Sequence, residues 1–210
     1  MQLPEHPQVL SQEHDGTLTI TLNRPQVRNA MSLAMIDQLL TLLSLAEAEH
    51  GLRAIVLQGA EGNFCAGADI KDMAAARALP VSESDDPVVK VNASFGRLCS
   101  AYARTPLPVI CLLEGAVMGG GFGLACVSDV TLAAASTMFA LPETSLGVVP
   151  AQIAPFLVER LGFAQAKRLA VTGGRIGAEE ALGLGLVHEV ASTREALDAA
   201  LGRTLDKLYA

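Results

Sequence analysis

The chain has 210 residues, half of them apolar, with aromatics at only 4% and no tryptophan. Such a length suits one compact domain whose core is built from Leu, Ala, Val and Ile. A net charge of -7, with Lys and Arg scattered, excludes the basic face that nucleic-acid binding needs. No apolar run reaches membrane-span length, and MQLPEHPQ at the start lacks a signal-peptide pattern.

In chain order, TLTITL at 17–22 alternates and predicts a half-buried strand, antiparallel or at an edge. Pro25 ends it, because it restricts Arg24 to extended geometry and has no N–H to give. Ser32 is placed to cap a helix running to Ala48, and His50-Gly51 stops it. AIVLQ at 54–58 predicts a buried strand, a glycine-rich loop spans 59–67, and 69–79 is helical in pattern. PVSESDDP at 80–87 predicts a mobile surface loop. A helix over 88–104 and a strand over 109–113 follow. Gly115–Gly121 forms a second glycine-rich turn before a short helix to Val127. A strand at 129–132, an extended piece at 137–140, and helices over 151–160, 164–171, 178–183 and 193–208 complete the reading.

Alternating strands and helices place the chain in the α/β class. A doubly wound nucleotide fold fits less well, because neither turn has GxGxxG directly after the first strand. The cysteines Cys65, Cys99, Cys111 and Cys126 sit in apolar sequence without C-x-x-C spacing. They are expected as free core thiols of a reducing compartment, by default the cytoplasm. The four histidines lie far apart, and no metal set is predicted.

Two stretches repeat one theme, a buried strand, a glycine-rich turn and a helix start: AIVLQGAEGNFCAGADI and VICLLEGAVMGGGFGLA. A helix start leaves N–H groups unpaired and carries partial positive charge. The N–H groups of Ala68 and Gly120 can therefore serve as a pair of donors around one oxyanion, a role worth about 3–4 kcal/mol per donor. A tight helix–sheet crossing capped by Asp69 explains the same residues without chemistry, and phosphate binding is a third use for the second turn. Glu143, set between Leu141, Pro142 and Leu146, is an unusual carboxylate in apolar sequence. Partial burial would raise its pKa and suit it to acid–base work. A helix-capping carboxylate at a surface turn is the plainer alternative. Asp129, His188 and Tyr102 are expected to be structural.

The sequence resembles the crotonase superfamily, the enoyl-CoA hydratase/isomerase fold. The stretches that carry the resemblance are LNRPQVRNAM at 22–31, NFCAGADIKDM at 63–73, EGAVMGGGFGLACVSDV at 114–130, FALPETSLGVVP at 139–150 and TGGRIGAEEALGLGLVHEV at 172–190. It implies a ββα spiral core over 1–190, then the start of a C-terminal helical region at 191–210 that is shortened or truncated. It also implies acyl-CoA thioester substrates, with coenzyme A carried in by the substrate and no tightly bound cofactor, and a homotrimer or dimer of trimers. Oxyanion donors are implied at Ala68 and Gly120, CoA adenine contacts at Ala66 and Ile70, a cation near the CoA phosphates at Arg28, and substrate-pocket positions at Gly119 and Gly123.

One position departs from the pattern. Two-carboxylate hydratases place their first glutamate where Gly123 stands, and their second corresponds to Glu143. Gly123 is expected to leave space beside the substrate's β-carbon for a branch or a water. A single glutamate suits double-bond migration, which needs one base. The combination GGGFGLACVSDV, LPETSLGVVPAQIAPFLVERLG and AKRLAVTGGRI is most similar to isohexenylglutaconyl-CoA and methylglutaconyl-CoA hydratases. Hydration is therefore the leading expectation. A Δ3/Δ2 isomerase, an acyl-CoA decarboxylase and an inactive acyl-CoA-binding scaffold are the alternatives.

Overall fold

A computed structural model describes residues 8–82 and 86–210. His6 and the centre of the polar loop at 80–87 lie outside them. The strands are β1 (Val9–His14), β2 (Thr17–Leu22), β3 (Ala54–Gly59), β4 (Val109–Leu113), β5 (Ala116–Met118), β6 (Val130–Ala134), β7 (Met138–Ala140), β8 (Ile176–Gly177) and β9 (Glu189–Ala191). The helices are α1 (Leu33–Ala48), α2 (Ile70–Arg77), α3 (Pro87–Tyr102), α4 (Gly120–Val127), α5 (Ala154–Thr172), α6 (Ala178–Gly183) and α7 (Arg194–Tyr209).

Six strands form one sheet in the order β1-β2-β3-β4-β6-β9, antiparallel only between β1 and β2. A second, three-stranded sheet has the order β5-β7-β8. The chain passes repeatedly from the first sheet to the second and then into a helix. Phe64 N–H reaches Glu114 O, Cys65 bridges Val117, and Met31 bridges Ala68, so neighbouring turns of the spiral interlock. This is the ββα spiral that the resemblance implies.

Burial explains the sequence patterns. Ala54, Ile55, Val56 and Leu57 are at most 1% exposed, because β3 is parallel and covered on both faces. Val56, Ile110, Leu112 and Leu132 pack beneath Leu197 and Ala200 of α7. The opposite face receives α1 through Met35, Ile36, Leu39, Leu42 and Leu43, an i, i+4, i+7 stripe. Ser32 caps α1, its Oγ accepting from Met35 N–H at 3.1 Å.

β2 pairs antiparallel with β1, one of the two placements expected for it, and because β1 takes the sheet edge β2 is an interior strand. The turn at 115–121 contains the short strand β5, pinned by pairing with β7. The two helices expected over 151–160 and 164–171 meet at Gly162, whose φ of 73° and ψ of 158° are not helical. The four cysteines are free and buried. Asp129 is structural, its carboxylate accepting from Val109 N–H at 2.7 Å. Tyr102 is buried in the core and donates to Leu39 O at 3.4 Å. No described helix is long and apolar enough to cross a membrane.

Candidate active site

The parallel bridge between Cys65 and Val117 sets the register of the two glycine turns. Three residues beyond that bridge lies Ala68 on one strand and Gly120 on the other, so the two predicted donors occupy matched positions. Met31 fixes the first. Its N–H donates to Gly67 O and its carbonyl accepts from Asp69 N–H, each at 2.8 Å. A bridge of that kind leaves the intervening residue's N–H facing the opposite side. Gly120 opens α4, where the first N–H groups have no intrahelical acceptor. Among the described residues, no hydrogen bond consumes the N–H of Ala68 or of Gly120.

The turns touch through glycines. Gly67 has φ of +97°, and a Cβ there would lie 3.2 Å from Met118 O. Gly119 has φ of +49°, and a Cβ there would lie 3.7 Å from Gly67 Cα and 3.0 Å from Glu143 Oε1. Positive φ and close approach together require glycine at both. The Glu143 carboxylate thus rests against the turn that presents Gly120.

Glu143 reaches this place because β7 pairs with β5 in parallel, Met118 opposite Ala140. The chain then enters a 3-10 turn at Pro142–Leu146. Glu143 Oε2 is buried and has no hydrogen-bond partner among the described residues. Burial pushes the carboxyl above its ordinary value of 4.5, offset in part by its own backbone N–H. An unpartnered buried carboxylate oxygen is costly unless another molecule uses it.

The first turn is braced by the expected cap Asp69 and by Arg24 and Asn29, to which the sequence alone assigned no role. Arg24 pairs with Asp69 at 2.7 Å and donates to Ala30 O at 2.7 Å. Asp69 caps α2, accepting from Lys71 N–H at 2.8 Å. Burial opposes ionisation of Asp69, but the Lys71 N–H and the Arg24 guanidinium outweigh it and hold the carboxyl below its usual range. Asn29 is fully buried with φ of 56°. Its amide accepts from Arg24 N–H at 2.8 Å and donates to Ala60 O at 2.9 Å and Asn63 O at 2.6 Å. Asparagine's tolerance of the left-handed region is the signal that could have marked it.

The remaining predicted residues fall into two groups. Ala66 N–H donates to Arg28 O at 2.9 Å, so those two lie together. Ile70 begins α2 and is 81% exposed, and the Arg28 residue is also exposed. Gly123 differs from expectation. It is buried, and a Cβ there would lie 2.5 Å from Ile153 Cγ2 and 3.1 Å from Cys99 Sγ. The room expected beside the β-carbon is already filled, because the segment after the 3-10 turn folds back over α4. Gly120 is walled in the same way by Met31 and Phe95.

His188 belongs to the scaffold, its Nδ1 accepting from Thr131 N–H at 3.0 Å. Among the described residues, no group of three or more His, Cys, Asp or Glu is placed to hold a metal ion. Surface clefts of about 340 and 500 Å³ lie against α1–α3 and beside Arg160. Neither is lined by Glu143 or by the two donors.

Two interlocked glycine turns with free N–H groups and one carboxylate against them form a site able to hold a developing oxyanion near a proton acceptor. The chain matches the enoyl-CoA hydratase/isomerase family over residues 12–208 and belongs to it. It is 33% identical over 193 residues to the 1,2-epoxyphenylacetyl-CoA isomerase of Escherichia coli, covering 91% of this chain and 72% of that protein. A crystal structure of an enoyl-CoA hydratase/isomerase from Marinobacter aquaeolei superposes with a TM-score of 0.93 at 51% identity, covering 96% of this chain and 76% of that one. The structure of Pseudomonas aeruginosa AtuE superposes at 0.92 with 52% identity and the same coverage. Of curated relatives that it matches, the chain spans from 61% to 72% of the length.

Proposed function

We propose that the chain acts as an enoyl-CoA hydratase, adding water across the α,β double bond of a branched unsaturated acyl-CoA of the isohexenylglutaconyl type. The observation that carries the reading is the buried, unpartnered Glu143 Oε2 of a carboxylate set against Gly119, in a pair of interlocked turns whose Ala68 and Gly120 N–H groups have no acceptor. In this mechanism the thioester oxygen accepts from Ala68 and Gly120 N–H. Glu143 takes a proton from water as its oxygen bonds to Cβ, and negative charge moves onto the thioester oxygen. Glu143 then returns the proton to Cα, so that one water is added in total. Coenzyme A arrives as part of the substrate, with Ala66 and Ile70 at the adenine and Arg28 near the phosphates. Ala66 O accepts no hydrogen bond among the described residues, which leaves it available. Assembly as a homotrimer or dimer of trimers and a cytoplasmic location belong to the same proposal.

Isomerisation is a second reading, favoured by one observation. Ile153 and Cys99 fill the position where a second carboxylate or its water would stand. Purified protein given isohexenylglutaconyl-CoA, methylglutaconyl-CoA and 3-enoyl-CoA thioesters separates the readings. Hydrated product that disappears in Glu143→Gln supports the hydratase. Double-bond migration without hydration supports the isomerase, and loss of CO2 a decarboxylase. Binding without any turnover would leave an acyl-CoA scaffold.

A further inference from the structure

Two glycines on neighbouring helices receive consecutive side chains of one segment. A Cβ at Gly96 of α3 would lie 2.1 Å from Gln152 Oε1, and a Cβ at Gly123 of α4 would lie 2.5 Å from Ile153 Cγ2. The segment before α5 is thus seated on α3 and α4, with Ile153 only 3% exposed. Gly123 N–H donates to Gly119 O at 3.0 Å, so the two glycines are joined by the first turn of α4. One helical turn, about 5.4 Å, separates them. Glu143 Oε1 meets the first glycine and Ile153 the second. The carboxylate and the Ile153 methyl therefore meet backbone positions one turn apart at the start of α4.

We propose that Ile153 is the specificity-determining side chain of the acyl site. Backed by Cys99, it takes the volume that a residue at 123 would fill, and so limits the group accepted beside the carbon nearest Glu143. The proposal rests on reading Glu143 and the two amides as an acyl-thioester site. Its physical basis is exclusion: interiors are close-packed, and a Cβ at 123 and the Ile153 methyl cannot share one space. The side chain at 153 and the residue at 123 are then alternative occupants. Ile153 offers no hydrogen bond, so the group it faces is a hydrocarbon branch or an unbranched chain, and its bulk decides between them.

The test uses the whole chain and two 2-enoyl-CoA thioesters of equal length, one unbranched and one carrying a 3-methyl group. Calorimetric Kd and, where turnover occurs, kcat/KM give a preference ratio. Ile153→Ala should shift that ratio toward the branched thioester by about tenfold, the scale of a few carbons in an apolar pocket, and Ile153→Val should fall between. Gly123→Ala should lower the melting temperature alone and recover it when combined with Ile153→Ala. An unchanged ratio in a cooperatively melting Ile153→Ala protein overturns the proposal. So does a Gly123→Ala defect that persists in the double variant. Should Ile153→Ala fail to fold, the Ile153→Val and double variants decide by the same ratio. Wild-type protein that binds neither thioester would overturn the acyl-site reading as well, an outcome visible before any variant is made.

Discussion

At the first glycine turn, polar side chains do the holding. Arg24 clamps Asp69 and Ala30 O, Asn29 ties three backbone groups together, and the exposed Arg28 and Ile70 lie alongside. At the second turn, Asn63 Oδ1 accepts from Ala116 N–H at 3.1 Å near its start, and from Gly120 onward packing does it. Gly120 is boxed by Met31 and Phe95, Gly121 by Cys65, and Gly123 by Ile153 and Cys99. The same backbone device, a glycine turn opening a helix, is thus stabilised by charge on one side and by dryness on the other. The difference fits a division of labour. A polar brace tolerates water and suits the side where a hydrated, phosphorylated carrier would lie. A dry wall raises the proton affinity of Glu143, which a wet one would not.

The largest effect that would break this comparison is expected at the dry side. Glu143→Gln should lower turnover by about 10²–10⁴-fold, the usual worth of a positioned acid or base, with the native fold retained. In the wild type, Glu143 sits above its ordinary 4.5, so the acid limb of kcat/KM should fall above that pH and vanish in the variant. The sign for stability is the reverse of a salt-bridged acid. A raised folded pKa gives stability below the unfolded value and loses it as pH rises through the folded one. Urea midpoints of the wild type against Glu143→Gln should show that decline.

Next comes Gly67→Ala, which would place a Cβ at φ of +97° and 3.2 Å from Met118 O. Forcing the turns apart should displace one donor and cost about 10²-fold in kcat, with a lower melting temperature from backbone strain. Arg24→Met tests the polar brace. It leaves the buried Asp69 without its cation and should destabilise by about 3 kcal/mol, read as a urea midpoint. Asp69 is held below its ordinary 3.8, so its contribution is complete above that pH and disappears as pH falls through the lowered folded value. The variant should show a weaker acid-side loss. Smallest is Arg28→Ala on the exposed rim. A KM raised severalfold, more at low salt and with kcat unchanged, would match a screened contact to the carrier phosphates.

Much of this was legible in the sequence, and the limits have physical causes. Ser32 as a helix cap, the buried AIVL strand, the break at Gly162 and the paired turns at Ala68 and Gly120 all follow from local chemistry and periodicity. Short strands such as β5 and β8 exist only because a partner pairs with them, so no local pattern announces them. The space at Gly123 misled for a related reason. A glycine in sequence suggests an opening, but whether another side chain enters it is decided by residues far along the chain, here Ile153 and Cys99. Arg24 was hidden because its partner, Asp69, is distant in sequence and was already explained as a cap.

The central claim is that the amides of Ala68 and Gly120 polarise one thioester oxygen. Infrared difference spectra of a bound 2-enoyl-CoA labelled with ¹³C at the thioester carbonyl test it most directly, using Glu143→Gln protein so that no turnover intervenes. The account predicts a carbonyl stretch at lower frequency than in water, and a smaller shift in Gly67→Ala. A bound thioester whose carbonyl absorbs as it does in solution would contradict it.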